Sequence, residues 1–224
     1  MVAMFVVALL LPAVASAHGV ARGDMRFLQT LQGAAVAPLM YLGAKHMVTG
    51  YDHLLFLVGV IFFLYRMRDI VLYVSLFTIG HSVTLLAGVL AGVNANPYIV
   101  DAIIGLSVVY KAFDNMDGFR ISFGFQPNTR AAVLIFGLVH GFGLATRLQE
   151  FALPKNGLLA NIVGFNVGVE IGQIFALTTV LIALTYWRSR SGFLRHAFVT
   201  NTGLMASGFL LMGYQLSGYM LATP

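Results

Sequence analysis

The sequence predicts an all-α, polytopic membrane protein: six transmembrane helices following an N-terminal signal peptide. Three observations predict it. Of 224 residues, 59% are hydrophobic and only 9% are charged, with a mean hydropathy of +0.87, whereas soluble domains carry about 25% charged residues. The apolar residues gather into six runs close to the roughly 20 residues that a span requires. The basic residues, which give a net charge of +5, are scattered through the short connections between those runs. They make no basic face of the kind that binds nucleic acid.

Residues 1–17 have the form of a secretory signal, with an apolar core from Phe5 to Leu11, Pro12, and then Ala15-Ser16-Ala17 as a small-x-small cleavage site. The pattern departs from a standard signal in having no basic residue before the core, as an uncleaved anchor or a start assigned too far downstream would. Cleavage after Ala17 leaves His18 at the new N-terminus, where amine and imidazole together can chelate copper or nickel. Residues 18–49 form an exported segment. Its polar part holds Arg22, Asp24 and Arg26, and its apolar part, Gly33 to Lys45, is read as a short interfacial or re-entrant helix.

The six-helix domain occupies 50–221, with spans at 50–66, 69–92, 97–116, 131–149, 158–187 and 196–221. The positive-inside rule orients them. Arg66, Arg68, Lys111, Arg120, Arg130, Arg188, Arg190 and Arg195 fall on one side. Arg22, Arg26, Lys45, Arg147 and Lys155 fall on the other. Both termini are therefore expected to face outward, which agrees with an exported N-terminus.

Polar residues inside the spans carry the functional expectation. Ionisable groups at membrane depth are costly and mark a protein interior or a water-filled path. His46 and His53 are two helical turns apart on one face, and Gly50 between them is placed to break the helix and turn Asp52 toward the same point. Span two centres on His81, with Thr78 and Thr84 at three-residue steps from it. Span four centres on His140. Span five carries Asn166, Glu170 and Gln173 as a polar stripe. Asp101 begins span three, near an interface.

The expected core is His46, Asp52, His53, His81, His140 and Glu170, supported by Thr78, Thr84, Asp101, Asn166 and Gln173. Read singly, each has a plainer role: Asp52 as a helix-start cap, a membrane histidine or amide as a helix-packing residue. The glycines at 137, 141, 164, 168 and 172 are read as packing residues. Asp114 and Asp117, beside Lys111 and Arg120, are read as a solvated face.

The chain has no cysteine, which excludes thiolate sites, iron–sulfur clusters and disulfides. Any metal must be held by nitrogen and oxygen, a set that suits nickel, cobalt, zinc or iron. No phosphate-binding loop for nucleotide hydrolysis is present.

Four motifs resemble the HupE/UreJ membrane proteins: His46-x5-Asp52-His53 with Leu54-Leu55-Phe56; Phe77-Thr78-x2-His81-Ser82-x-Thr84; Phe136-Gly137-Leu138-x-His140-Gly141-Phe142-Gly143; and Phe165-Asn166-x-Gly168-Val169-Glu170-x-Gly172-Gln173. The resemblance implies a cleaved signal and six spans. It also implies passage of nickel, in some cases cobalt, across the bacterial inner membrane without ATP, in support of hydrogenase or urease maturation. Zinc, copper and iron are the alternative ions. Nickel permeases similar to this chain carry Phe-His-Gly-x-x-His-Gly; here Phe136-Gly137-Leu138-Val139-His140-Gly141 holds one histidine where that pattern has two, so the chain is closer to a second branch.

Two other functions stay open. One is an intramembrane metal-dependent hydrolase with His53, His81 and His140 as ligands and Asp52 or Glu170 as base. The other is a metal-supplying assembly subunit of a larger membrane metalloenzyme or its maturation proteins.

Overall fold

A computed structural model describes residues 33–150 and 156–222. The signal segment, His18, Arg22, Arg26 and Lys155 lie outside the described residues. Among the described residues all regular structure is helical: α1 (Val36–Thr49), α2 (Tyr51–Ile61), α3 (Met67–Ala91), α4 (Pro97–Asn115), α5 (Gly118–Phe123), α6 (Thr129–Glu150), α7 (Leu158–Arg188) and α8 (Phe193–Ala222).

Local chemistry sets the boundaries. Asn96 accepts hydrogen bonds from the Tyr98 and Ile99 amides, and Pro97 occupies the first turn, where its missing N–H is not needed. Asn128 caps α6 in the same way through Arg130 and Ala131. Gly92 closes α3 in the left-handed conformation, φ 65°.

The helices pack as three close pairs. On α7, Gly164, Gly168 and Gly172 lie against Val36, Met40 and Ala44 of α1 in turn, so the two helices run parallel. A Cβ at Gly168 would overlap the Met40 carbonyl oxygen. Small residues at four-residue steps bring backbones this close when lipid supplies no hydrophobic driving force. Helices α3 and α6 are parallel too, with Phe77 on Gly137, His81 and Thr84 on Gly141, and Gly88 on Ala145. Helices α4 and α8 are antiparallel, from Tyr98 against Gly218 to Val109 against Gly208.

Helix α2 runs through the middle. It buries Asp52, His53, Phe56, Leu57, Gly59, Val60 and Ile61, the pattern of a helix that is apolar all round and enclosed. Asn115 on α4 donates to the Gly59 carbonyl and to Asn201 of α8. Arg188, the last residue of α7, donates to the carbonyl of Ile61 at the end of α2 and to those of Phe62 and Leu64 just past it. Helices α1 and α2 therefore accompany α7 from one end to the other. The short apolar segment expected to lie apart at an interface is the first half of this pair, packed along α7.

Apolar side chains cover the outside as well. Val71, Ile79, Val83, Ile174, Phe175, Ile182 and Leu210 are all exposed, a surface suited to lipid. Met67–Ala91, Thr129–Thr146 and Leu158–Arg188 are long and apolar enough to cross a membrane by length and composition.

The four charges near 111–120 divide. Asp117 and Arg120 form an exposed pair, as a solvated face requires. Lys111 and Asp114 do not: both are buried, paired with each other, and Gln126 donates to Asp114. The close fit of Gly59 against the Lys111 stem carries this end of α4 into the bundle.

Candidate metal centre

Gly50 creates the site. Its ψ of 89° ends α1, and α2 starts at the next residue. The amide of Gly50 still bonds to the His46 carbonyl (2.8 Å), and its own carbonyl accepts from Leu54 (3.1 Å). The interruption is one residue long and falls at the glycine expected to break the helix. It swings Asp52 and His53, in the first turn of α2, into the space between α3, α6 and α7.

His53 is the hub. Its ring centroid lies 5.1 Å from that of His46, 6.0 Å from His81 and 4.8 Å from His140. His53, His81, His140 and Asp52 are 1–2% exposed, and His46 is half-buried. One ligand atom from each of Asp52, His53 and His140 falls within 4.8 Å of the others. Asp52 Oδ1 is 3.0 Å from His53 Nδ1, and His140 Nδ1 donates to the Phe136 carbonyl at 2.7 Å.

Neither nitrogen of His81 has a hydrogen-bond partner among the described residues. Leaving buried polar nitrogens without a partner costs on the order of 1–3 kcal/mol each. A cation reaching that ring would partner its lone-pair nitrogen, and with one ligand atom each from Asp52, His53 and His140 close together the residues fit a metal.

Aromatic rings wall the cluster. Phe77 stacks on His81 (6.2 Å, 27°) and stands edge-on to His140 (5.0 Å), Phe56 lies 5.6 Å from His140, and Phe165 lies 6.0 Å from His46. The expected core did not include these rings. Their signal was nonetheless in the motifs: Phe77 and Phe136 each stand four residues before a core histidine, and Phe56 three after one.

Of the expected core, the structure brings together His46, Asp52, His53, His81 and His140. It separates Glu170. That residue is exposed, on a groove of about 270 Å³ between α3 and α7 that Thr78, Gln173, Ile174 and Leu177 also line. The reason is angular. Counted round α7 from Gly168, Gln173 lies at about 140°, Asn166 at about 160° and Glu170 at about 200°, so Glu170 is one edge of the polar stripe. Asn166 and Gln173, on the other side of the stripe, meet α3. Ser82 donates to Asn166 (3.1 Å), and Thr78 to Gln173 (3.0 Å).

Thr78, His81 and Thr84 were expected on one face. Each three-residue step turns back about 60°, so the set spreads. Thr78 faces α7, while Thr84 donates to the Leu138 carbonyl of α6 at 2.7 Å. Asp101 is buried against α6, where a Cβ on Gly143 would lie 3.7 Å from its Oδ1.

The family model for "HupE / UreJ protein" matches residues 22–223, almost the whole chain. The chain belongs to the HupE/UreJ family. No curated protein and no solved structure matches it. This membership agrees with the four motifs, with helices able to span a membrane, and with a role in handling metal ions. The cluster at the Gly50 break supplies a candidate His/Asp site for such an ion.

Proposed function

We propose that this HupE/UreJ protein is a passive or secondary permease for a divalent transition metal, nickel first and cobalt next, in the bacterial inner membrane. It would serve the maturation of a metalloenzyme. One observation carries the reading: four buried or half-buried imidazoles surround a one-residue helix break, with His53 in contact range of the other three. Discontinuous helices at mid-membrane are a recurrent way of holding a transported ion. Conduction also needs several weak sites in place of one strong one. Imidazoles grouped around a single ring allow the ion to pass by ligand exchange, from His46 through His53 and His140 to His81.

In this reading the first span is interrupted and runs from Val36 to Ile61, followed by α3, α4, α6, α7 and α8. That makes six spans behind a signal at residues 1–17, with both termini periplasmic. The span is supported by α1 and α2 together following α7 along its length.

The test is uptake into proteoliposomes of nickel, cobalt, zinc, copper and iron, each offered to protein-containing and empty vesicles. Uptake of one ion with fast exchange supports a permease. A firmly held metal at fixed stoichiometry without uptake contradicts it and favours a hydrolase or an assembly subunit.

A further inference from the structure

By proximity alone Asp52 groups with His53 and His140 as a third ligand. Its hydrogen bond gives it another task. We infer that Asp52 is a positioning residue: it holds His53 in the Nδ1–H form and turns the Nε2 lone pair into the cluster, so that the ion meets neutral imidazoles and no carboxylate. The inference rests on the reading of the cluster as a cation site.

The proton's place follows from the acceptors. An ionised carboxylate only accepts hydrogen bonds. The 3.0 Å contact between Asp52 Oδ1 and His53 Nδ1 is therefore a hydrogen bond when Nδ1 carries the proton, and a clash of lone pairs when it does not. A backbone carbonyl also only accepts, so the 2.7 Å contact with Phe136 places the His140 proton on Nδ1. Each ring then presents Nε2 as its lone-pair nitrogen. Two acceptors of different chemistry select the same nitrogen on two rings whose centroids are 4.8 Å apart. His81, with no partner on either nitrogen among the described residues, is the third imidazole.

The backbone is shaped for this bond. Adjacent residues within a regular helix point about 100° apart and do not meet. Asp52 reaches the ring of its neighbour in the first turn after the break. A Cβ at Gly50 would stand 3.1 Å from His53 Nδ1 and 3.5 Å from Asp52 Oδ1, so a side chain there would crowd the hydrogen bond itself. The α2 N-terminus favours the negative charge of Asp52 in a site where it is 1% exposed. A carboxylate held by a ring N–H is a recurrent way of fixing a ligand histidine and raising its basicity. The resulting imidazole-only set favours nickel, cobalt, copper and zinc over the harder magnesium, calcium and manganese.

The test begins without metal. Full-length protein labelled with ¹⁵N-histidine is placed in lipid nanodiscs, and nitrogen chemical shifts are read for wild type, Asp52→Asn and Asp52→Leu, with His53→Gln giving the assignment. The expected result is a protonated Nδ1 and an unprotonated Nε2 on His53 in wild type and in Asp52→Asn, whose amide oxygen still accepts. In Asp52→Leu the proton should move largely to Nε2.

Nickel or cobalt is then added. X-ray absorption should show the same number of imidazole nitrogens and no carboxylate oxygen in wild type and Asp52→Asn, with affinity falling about 10- to 100-fold in Asp52→Leu. A proton on His53 Nε2 in wild type would overturn the inference. So would a carboxylate oxygen in the metal's shell that Asp52→Asn removes. Either result leaves the permease reading standing. The expected Nδ1–H form with no binding of any of the five ions would instead sink the cation reading, and the ligand half of the inference with it.

Discussion

Helix α3 builds two polar regions with opposite outcomes. On one side His81 and Thr84 face α2 and α6, with Phe56 and Phe77 against the histidine rings. On the other, Thr78 and Ser82 reach across to Gln173 and Asn166 of α7, beside the open groove that holds Glu170. Each carries a carboxylate and hydrogen-bonding partners, but only the first holds imidazoles. They differ in enclosure as well. The histidine cluster is fenced by close backbone packing at Gly137 and Gly141 and by a helix break aimed into it. The α3–α7 contact is a thin polar seam with apolar side chains facing outward on both sides.

The largest effect that would sharpen this contrast is expected from His53→Ala. Losing the hub ligand should weaken nickel or cobalt binding by more than the roughly 100-fold upper range of an outer-shell change, as measured by competition with a chelating dye. The folded bundle should remain by circular dichroism. Gly50→Ala comes next. Its Cβ lies 2.9 Å from the His46 carbonyl and 3.1 Å from His53 Nδ1, so the ring must shift and affinity should fall about 10-fold. Unchanged affinity in the same titration would mean that the break does not aim His53.

Smaller effects belong to the seam. Gln173→Leu removes an interhelical hydrogen bond and should lower stability by about 0.6 kcal/mol, a modest drop in the detergent-solubilised thermal midpoint, with metal affinity unaltered. Glu170→Gln should leave binding within experimental error of wild type. If it instead matched the loss from His53→Ala, the groove and the cluster would be one site.

Much of this was legible in the sequence because it depends on local pattern. The runs now seen as α3, α4, α6, α7 and α8 follow from hydropathy, and Pro97 and Gly92 mark their ends. The convergence of five of the six core residues followed from the cost of burying ionisable groups. What was not legible depends on which way a face turns. Asn166, Glu170 and Gln173 form one stripe by spacing, yet only the packing of α3 on Asn166 and Gln173 leaves Glu170 at the outer edge. Gly33 to Lys45 is short on its own, as is the run at 50–66 unless it borrows from the segment before it, and length alone does not reveal that the two continue each other along α7. Lys111 and Asp114 looked solvated, since nothing in their spacing reports Gln126 closing over them.

The central claim is that the cation passes through the cluster around His53 and not through the α3–α7 groove. Nickel uptake by vesicles containing wild type, His53→Ala or Glu170→Gln, reconstituted and assayed in parallel, tests it most directly. The account predicts uptake by wild type and Glu170→Gln and none by His53→Ala. Uptake by His53→Ala with none by Glu170→Gln would contradict it.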